Sequence, residues 1–297
     1  MSIPATMVKE LREKTSAGMM DCKKALEESK GDFEAAVEWL RVKGLSAASK
    51  KADRVAAEGL VNAVNNGKTG AVVEVNSETD FASRNDKFKE LVSTITQHVL
   101  TSPSVDKTKT DEMIKQAVAT IGENMVFRRS EKYTAQGEGL VHTYVHGEGK
   151  IGVMIEVGAA TAGAAASPEA RTFASDVCLH IAAMNPMALS SSEMSTEVVA
   201  KEKDILKQKN LESGKKPEMV DKIVEGQIRK FLAENCLVDQ PFVKNPDLTI
   251  AAYGKEASKK AGGDLMIKRF VRFELGAGIE KKVVDFAAEV AAQTKGH

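Results

Sequence analysis

Asp80 and Phe81 follow one another in the run Asn76-Ser77-Glu78-Thr79-Asp80-Phe81, directly after the apolar stretch Ala71-Val72-Val73-Glu74-Val75. The apolar stretch has strand character, so a carboxylate and a large aromatic stand side by side where a buried strand empties into a loop. Such a pair is suited to probing another molecule, because loops on rigid scaffolds carry function. The competing reading has Phe81 packing inward and Asp80 capping the helix that follows.

Other chemistry-bearing residues form no constellation. The histidines are His98, His142, His146, His180 and His297. His142 and His146 lie four apart in a strand, on one face but not adjacent, and as a metal pair they need a third ligand that the sequence does not offer. His98 and His180 occupy matching helix positions, which favours packing. Cys22, Cys178 and Cys236 are far apart and odd in number, without zinc or redox spacing, which fits a reducing cytoplasm. No glycine-rich loop ends in Lys-Ser or Lys-Thr, and there is neither a nucleophile elbow nor a helical His-Glu zinc motif. The sequence therefore predicts no enzyme, no cofactor and no metal.

Composition narrows the partners. The 297 residues can hold more than one domain. Lys plus Arg equal Asp plus Glu at 42 each, and aromatics make up 5%. Zero net charge lacks the basic footprint of a nucleic-acid binder, and few aromatics means few stacking platforms. No apolar run is long enough to span a bilayer, and Met1-Ser2-Ile3-Pro4-Ala5-Thr6 has no apolar signal core. The expectation is a cytoplasmic protein without membrane or direct nucleic-acid contact.

The elements that must position Asp80 and Phe81 are written twice. Glu58-Gly59-Leu60-Val61, a turn near Gly67, and Gly70-Ala71-Val72-Val73-Glu74-Val75 match Glu138-Gly139-Leu140-Val141, a turn near Gly147 and Gly149, and Ile151-Gly152-Val153-Met154-Ile155-Glu156-Val157. Basic pairs, Lys50-Lys51 and Arg128-Arg129, precede both. A helix follows both, with Leu91, Ile95, His98 and Val99 matching Phe173, Val177, His180 and Ile181 on one face. Each half is thus two strands and a helix. After Val157 the second copy continues Gly158-Ala159-Ala160-Thr161-Ala162-Gly163, with no Asp-Phe pair. The pair is then an addition for use rather than a requirement of folding.

The expected class is α+β. Ile3, Met7, Val8 and Leu11 mark one short helix, and Thr15-Ser16-Ala17-Gly18 breaks it. Met19, Cys22 and Leu26 share the next face, and Gly31 ends that helix. Asp32 caps a third, with Phe33, Ala36, Val37 and Leu40 inward and Gly44 closing it. These make a three-helix module of the ubiquitin-associated type, with the basic, alanine-rich Ala47 to Arg54 as a linker or linking helix. Thr101 to Thr110 reads as a surface loop and Asp111 to Ile121 as a helix. Thr196 to Leu211 and Glu218 to Glu234 are charged helices with narrow apolar stripes, joined by the Ser213-Gly214-Lys215-Lys216-Pro217 turn, an antiparallel hairpin. A helix resumes near Leu248, and Met266 to Glu274 is a strand that rejoins the second repeat's sheet, making the hairpin an insertion. Val283 to Thr294 is a C-terminal amphipathic helix. The expected domains are 1–54, the ubiquitin-associated-like module with linker; 55–139, the first repeat; 140–186 with 235–278, the second repeat, both with antiparallel strands; 187–234, the inserted hairpin; and 279–297, the C-terminal helical module.

Several stretches carry a resemblance. Val8-Lys9-Glu10-Leu11-Arg12 through Gly18-Met19-Met20-Asp21-Cys22-Lys23-Lys24-Ala25-Leu26, and Glu74-Val75-Asn76 through Thr79-Asp80-Phe81, are similar to the two signatures of the bacterial elongation factor Ts family. Ile121-Gly122-Glu123-Asn124, His146-Gly147, Gly278-Ile279-Glu280-Lys281 and Phe286-Ala287-Ala288-Glu289-Val290 extend the likeness over essentially the full length. Ser16, where the family usually has Gly, and Ala82, where it commonly has Val, depart from it. The resemblance implies a guanine-nucleotide exchange factor that binds elongation factor Tu with GDP and promotes GDP release. Phe81 then wedges between helices of the partner, and Asp80 disturbs the network around its magnesium ion and phosphates. Thr79, Ile121, Gly122 and His146 complete the exchange contacts, and Lys9, Met19 and Met20 belong to the N-terminal contact. The hairpin is implied as a dimerisation element, admitting a homodimer and a two-to-two complex, and the last helix as a partner-contacting arm.

Three rivals weigh against this. An adaptor or scaffold with a ubiquitin-associated-like module accounts for Met19 and Met20 but leaves the Asp-Phe pair unexplained. An RNA-binding translation protein would rely on two basic pairs that are ordinary solvated surface. An enzyme using Asp80 and His146 has no nucleophile or cofactor site.

Overall fold

The computed structural model describes residues 3–15 and 17–280. The helix expected over Val283 to Thr294 lies outside them. The chain forms two compact units, one of Met1–Val61, Val73–Arg129 and Glu274–His297, the other of Asn62–Val72 and Ser130–Phe273.

The N-terminal module is built from α1 (Ala5–Thr15), α2 (Met19–Glu28) and α3 (Phe33–Lys51). Leu11, Cys22, Ala25, Leu26 and Ala36 form its small core. Gly31 at φ +87° sends its N–H back to the Leu26 carbonyl at 2.8 Å, a left-handed stop that a side chain would strain. Asp32 Oδ1 accepts from the Ala35 N–H at 2.9 Å and starts α3. Gly44 does not close that helix, which runs on to Lys51. The missing side chain serves packing instead: a Cβ on Gly44 would come 2.6 Å from that of Ala119, so the glycine lets α3 lie close on α6 (Lys107–Ile121). That helix starts earlier than expected, because Asp106 Oδ1 caps it by accepting from the Lys109 N–H at 3.2 Å.

The duplication is deeper than two strands and a helix. The first copy runs β1 (Glu58–Asn65), β2 (Thr69–Ser77), α4 (Asp80–Arg84), α5 (Asp86–Thr101), α6 and β3 (Met125–Thr134), and its sheet order is β1-β2-β3. The second runs β4 (Gly139–His146), β5 (Ile151–Ala159), α7 (Ala162–Ala166) and α8 (Pro168–Met184). It then closes, after an excursion, with α11 (Ile250–Ala261) and β8 (Leu265–Glu274), in sheet order β4-β5-β8. Arg128 and Arg129 therefore do not lead into the second repeat. They sit inside β3, a strand that its charged sequence hides, and their counterpart is Arg269 on β8. Both copies also share a close approach: a Cβ on Gly59 would meet the Val75 carbonyl at 2.2 Å, and one on Gly139 the Val157 carbonyl at 2.5 Å.

The excursion is α9 (Thr196–Glu212) and α10 (Pro217–Asn235), then the small antiparallel pair β6 (Pro241–Phe242) and β7 (Asn245–Thr249). Val220, Val224 and Asn210 are buried in the helical hairpin, and Asn210 Nδ2 donates to Gln227 Oε1 at 2.7 Å across it. A polar pair inside a narrow apolar seam favours one register. Ala188, Met194 and Cys236 form the root, with Val198, Val199, Phe231 and Leu232 against them. In the second-copy core Val153, Ile155, Val157, Phe173, Val177, Ile181, Leu237 and Ile250 are buried together.

Within it His180 is buried, with Nε2 2.9 Å from Gln240 Oε1 and Nδ1 accepting from the Val243 N–H at 3.2 Å. The amide at Nδ1 requires the neutral ring with its proton on Nε2. Burial holds His180 below the usual imidazole range, although the Gln240 bond works the other way, and burial does the same to His142.

Two predictions follow from this packing. Above the unfolded imidazole value of about 6.5 both states are neutral. Below it the unfolded chain binds protons that the folded chain refuses, so stability falls with pH until the folded pKa is passed. Urea midpoints should therefore drop between pH 7.5 and 5.5, and His180→Gln should flatten part of that slope; an unchanged slope would remove His180 from the account. Gly44→Ala should lower stability, by about 1–2 kcal/mol through overpacking against Ala119. Gly226→Ala in α10, where a Cβ meets nothing within 4 Å, should raise it by up to about 1 kcal/mol through helix propensity. Thermal melts of the two variants check the contrast.

Candidate partner-binding site

The Asp80–Phe81 pair lies in the first turn of α4, not in an open loop. The cap is Thr79 rather than Asp80: Thr79 Oγ1 accepts from the Ala82 N–H at 3.3 Å. Ala82 and Ser83 are buried and anchor the turn, while Asn85 ends it and caps α5 by accepting from the Lys87 N–H at 2.9 Å. Phe81 is 77% exposed, so it is not a core residue. Asp80 Oδ2 stands 2.9 Å from the Arg84 guanidinium in an exposed pair of the kind that adds little stability.

The second copy repeats the construction. Thr161 Oγ1 accepts from the Ala164 N–H at 3.1 Å at the start of α7. Ala162 and Gly163 occupy the places of Asp80 and Phe81. The turn folds without a carboxylate or an aromatic, and α4 presents both.

Ile121 and Gly122 join this turn through residues that sequence reasoning quoted but gave no role. Gly122, at φ +90°, caps α6 with its N–H on the Val118 carbonyl at 3.0 Å. The next residue, Glu123, reaches Thr79, accepting from its N–H on Oε2 at 3.0 Å and from its hydroxyl on Oε1 at 2.7 Å. In return Glu78 Oε1 accepts from the Asn124 N–H at 2.6 Å. The Asn124 amide donates to the Arg54 carbonyl at 2.7 Å, Arg54 stands 3.4 Å from Glu78, and Lys51 donates to the Gly122 carbonyl. The end of α3, the turn carrying Phe81 and the turn after α6 are thus tied together within the first unit. The sequence signal was two polar runs, Ser-Glu-Thr and Gly-Glu-Asn, beside the site motifs; that they face each other is invisible in one dimension.

Lys9 is exposed, 3.8 Å from Glu13 on the same helix. Met19 and Met20 are 59% and 75% exposed. Met19 does not share the buried face of α2, which is Cys22, Ala25 and Leu26; it stands in the first turn, and no side chain caps that helix. His146 belongs to the second unit. It is exposed at the end of β4, opposite Ile151, with Nδ1 2.9 Å from the Tyr144 hydroxyl.

Among the described residues no group of three His, Cys, Asp or Glu could hold a metal ion, and no helix is long and apolar enough to cross a membrane. What the first unit exposes is an aromatic and a carboxylate on a braced turn tied to the end of α6, and a methionine pair on the N-terminal module.

Comparison with known proteins bears on this surface. The family model described as elongation factor TS matches residues 78–277. The chain is 64% identical to elongation factor Ts of Bdellovibrio bacteriovorus, covering 100% of both chains. It is 49% identical to that of Brucella anthropi, again over 100% of both. With that of Symbiobacterium thermophilum it shares 46% identity over 98% of each.

Proposed function

Because this chain belongs to the elongation factor Ts family, a family of translation elongation factors, we propose that it is the guanine-nucleotide exchange factor of a Tu-type elongation factor. In this reading it binds the GDP-loaded partner in the cytoplasm, loosens the magnesium and phosphate site, and releases GDP so that GTP can enter. It does so without bond-making chemistry of its own. The observation that carries the reading is Phe81: a large aromatic 77% exposed on a capped, anchored turn whose repeat counterpart has Gly163.

The physics is linkage. A factor that binds the nucleotide-free partner more tightly than the loaded one weakens nucleotide binding by the same factor. Phe81 acts as a wedge, since packed domains move between discrete arrangements rather than deforming continuously. Asp80 brings a negative charge to the partner's magnesium site, where the ion is the largest local charge holding the phosphates. Thr79, Ile121, Gly122 and His146 are assigned contacts with the partner's nucleotide-binding domain, and Lys9, Met19 and Met20 a second contact from the module at 1–54. The repeats at 55–139 and at 140–186 with 235–278 are the gripping core, and 187–234 is assigned dimerisation, giving a two-to-two complex. The segment 279–297, nearly all of it outside the described residues, is assigned a partner-contacting arm. An adaptor reading accommodates the exposed Met19 and Met20 but gives Phe81 no task.

The test is release of fluorescent GDP from a Tu-type GTPase. Phe81→Ala should slow the accelerated release by roughly thirtyfold, the effect of losing a contact worth about 2 kcal/mol, with thermal unfolding unchanged. Asp80→Ala should slow release mainly when magnesium is present; equal slowing with and without it would contradict the assigned role. Replacing residues 202–229 with a Gly-Ser linker keeps the root cluster around Met194 and Cys236 and should leave the core folded. Sedimentation should then move toward monomer while exchange persists in part; a variant that stays dimeric would take dimerisation away from the hairpin.

A further inference from the structure

We propose that Glu123, supported by Glu78 and Asn124, is a positioning residue for exchange: it fixes the direction in which Phe81 leaves the surface without itself touching the partner's nucleotide site. The proposal rests on the exchange reading above and adds residues to which that reading gives no role.

Glu123 commits both carboxylate oxygens to Thr79, which lies 44 residues away. Since the Thr79 hydroxyl donates to Glu123, its lone pairs are left to accept from Ala82. Asp80 and Phe81 are the two residues between Thr79 and Ala82, so both ends of their turn are held. A carboxylate that binds an N–H and a hydroxyl makes charge-assisted bonds, stronger than those between neutral groups. Side chains fixed in advance lose less freedom when they dock.

The duplication supplies an internal control. Gly122 at the end of α6 corresponds to Gly262, the left-handed cap of α11, and each precedes the third strand of its sheet. Glu123 then corresponds to Gly263, and Glu78 to Ala160. The same backbone approach is present there: a Cβ on Gly263 would lie 3.5 Å from Thr161 Oγ1 and 3.7 Å from the Ala160 Cβ. Thr161 still caps its turn. The copy that lacks the aromatic also lacks both carboxylates of the clamp, and it folds. The clamp therefore goes with Phe81 and not with the architecture.

GDP-release assays with Glu123→Ala and Glu123→Gln, each alone and with Phe81→Ala, test this. Glu123→Ala should fold and slow release about tenfold or more, the scale of a misplaced contact. Glu123→Gln should recover most of the rate, because its amide can accept from the Thr79 N–H and donate to the hydroxyl. Adding Glu123→Ala to Phe81→Ala should cost much less than Glu123→Ala costs alone, since only Asp80 is left on the turn to position. Hydrogen exchange at the Phe81 and Ala82 amides, measured without partner, should quicken in Glu123→Ala and not in Glu123→Gln. Wild-type release in Glu123→Ala, a double variant as slow as the product of the two single effects, or loss of folding would each overturn the proposal. If the wild-type chain itself releases no GDP, the exchange reading falls and the role in exchange falls with it. The amide measurement then still decides whether Glu123 holds the Phe81 turn.

Discussion

In the middle strand of each three-stranded sheet a glutamate is buried among valines, and the placement of the third strand depends on satisfying it. Glu74 on β2 accepts from the Arg129 Nε at 2.6 Å, the Arg128 guanidinium at 2.9 Å, the Gly276 N–H at 2.8 Å and the Asn76 amide at 3.2 Å. Glu156 on β5 accepts from the Arg269 Nε at 2.7 Å and the Gln136 N–H at 2.9 Å. Burial alone would raise the pKa of Glu74, but the Gly276 amide and the two arginines outweigh it and hold the carboxyl below its usual range. A buried charge left without partners costs several kcal/mol. β3 and β8, which carry those arginines, are thereby required beside β2 and β5. Arg269 also lies 4.0 Å over the Tyr133 ring, and burial pushes that phenol up to about 12.

Once both copies satisfy this constraint, the same scaffold is available twice, and the differences between copies become informative. Phe81, Glu123 and Glu78 in the first copy correspond to Gly163, Gly263 and Ala160 in the second. The second copy instead accepts the long excursion between α8 and α11. Its root is closed by Ala188, Met194 and Cys236, and the segment after it is tied back through the Gln240 bonds to His180 and to the Glu234 carbonyl. A long insertion adds little loop-closure cost when its ends are held this way.

For the proposed exchange role, rigidity at the point of contact matters more than reactive groups. A flexible aromatic would lose part of its binding energy in ordering itself. On the braced turn, the exposed ring is carried by Thr79, by buried Ala82 and Ser83 and by a carboxylate from a distant turn. The end of α3 is tied into the same junction through Asn124 and Lys51, so the helix that completes the N-terminal module also braces the turn that carries Phe81.

The sequence by itself determined the helices of the N-terminal module, the helical hairpin, the strand that rejoins the second sheet and the absence of an Asp-Phe pair from the second repeat. All of these are written in local periodicity, caps and the comparison of two repeats. It did not determine β3, because Arg128-Arg129-Ser130-Glu131-Lys132 looks solvated until Glu74 is known to stand opposite. Nor did it determine the length of α3, because Gly44 reads as a stop when the reason for it is Ala119 on another helix. The clamp from Glu123 to Thr79 was out of reach for the same cause. Local pattern reports which face of a segment avoids water, whereas the partner of a buried charge or of a missing side chain is fixed only when distant segments are folded together.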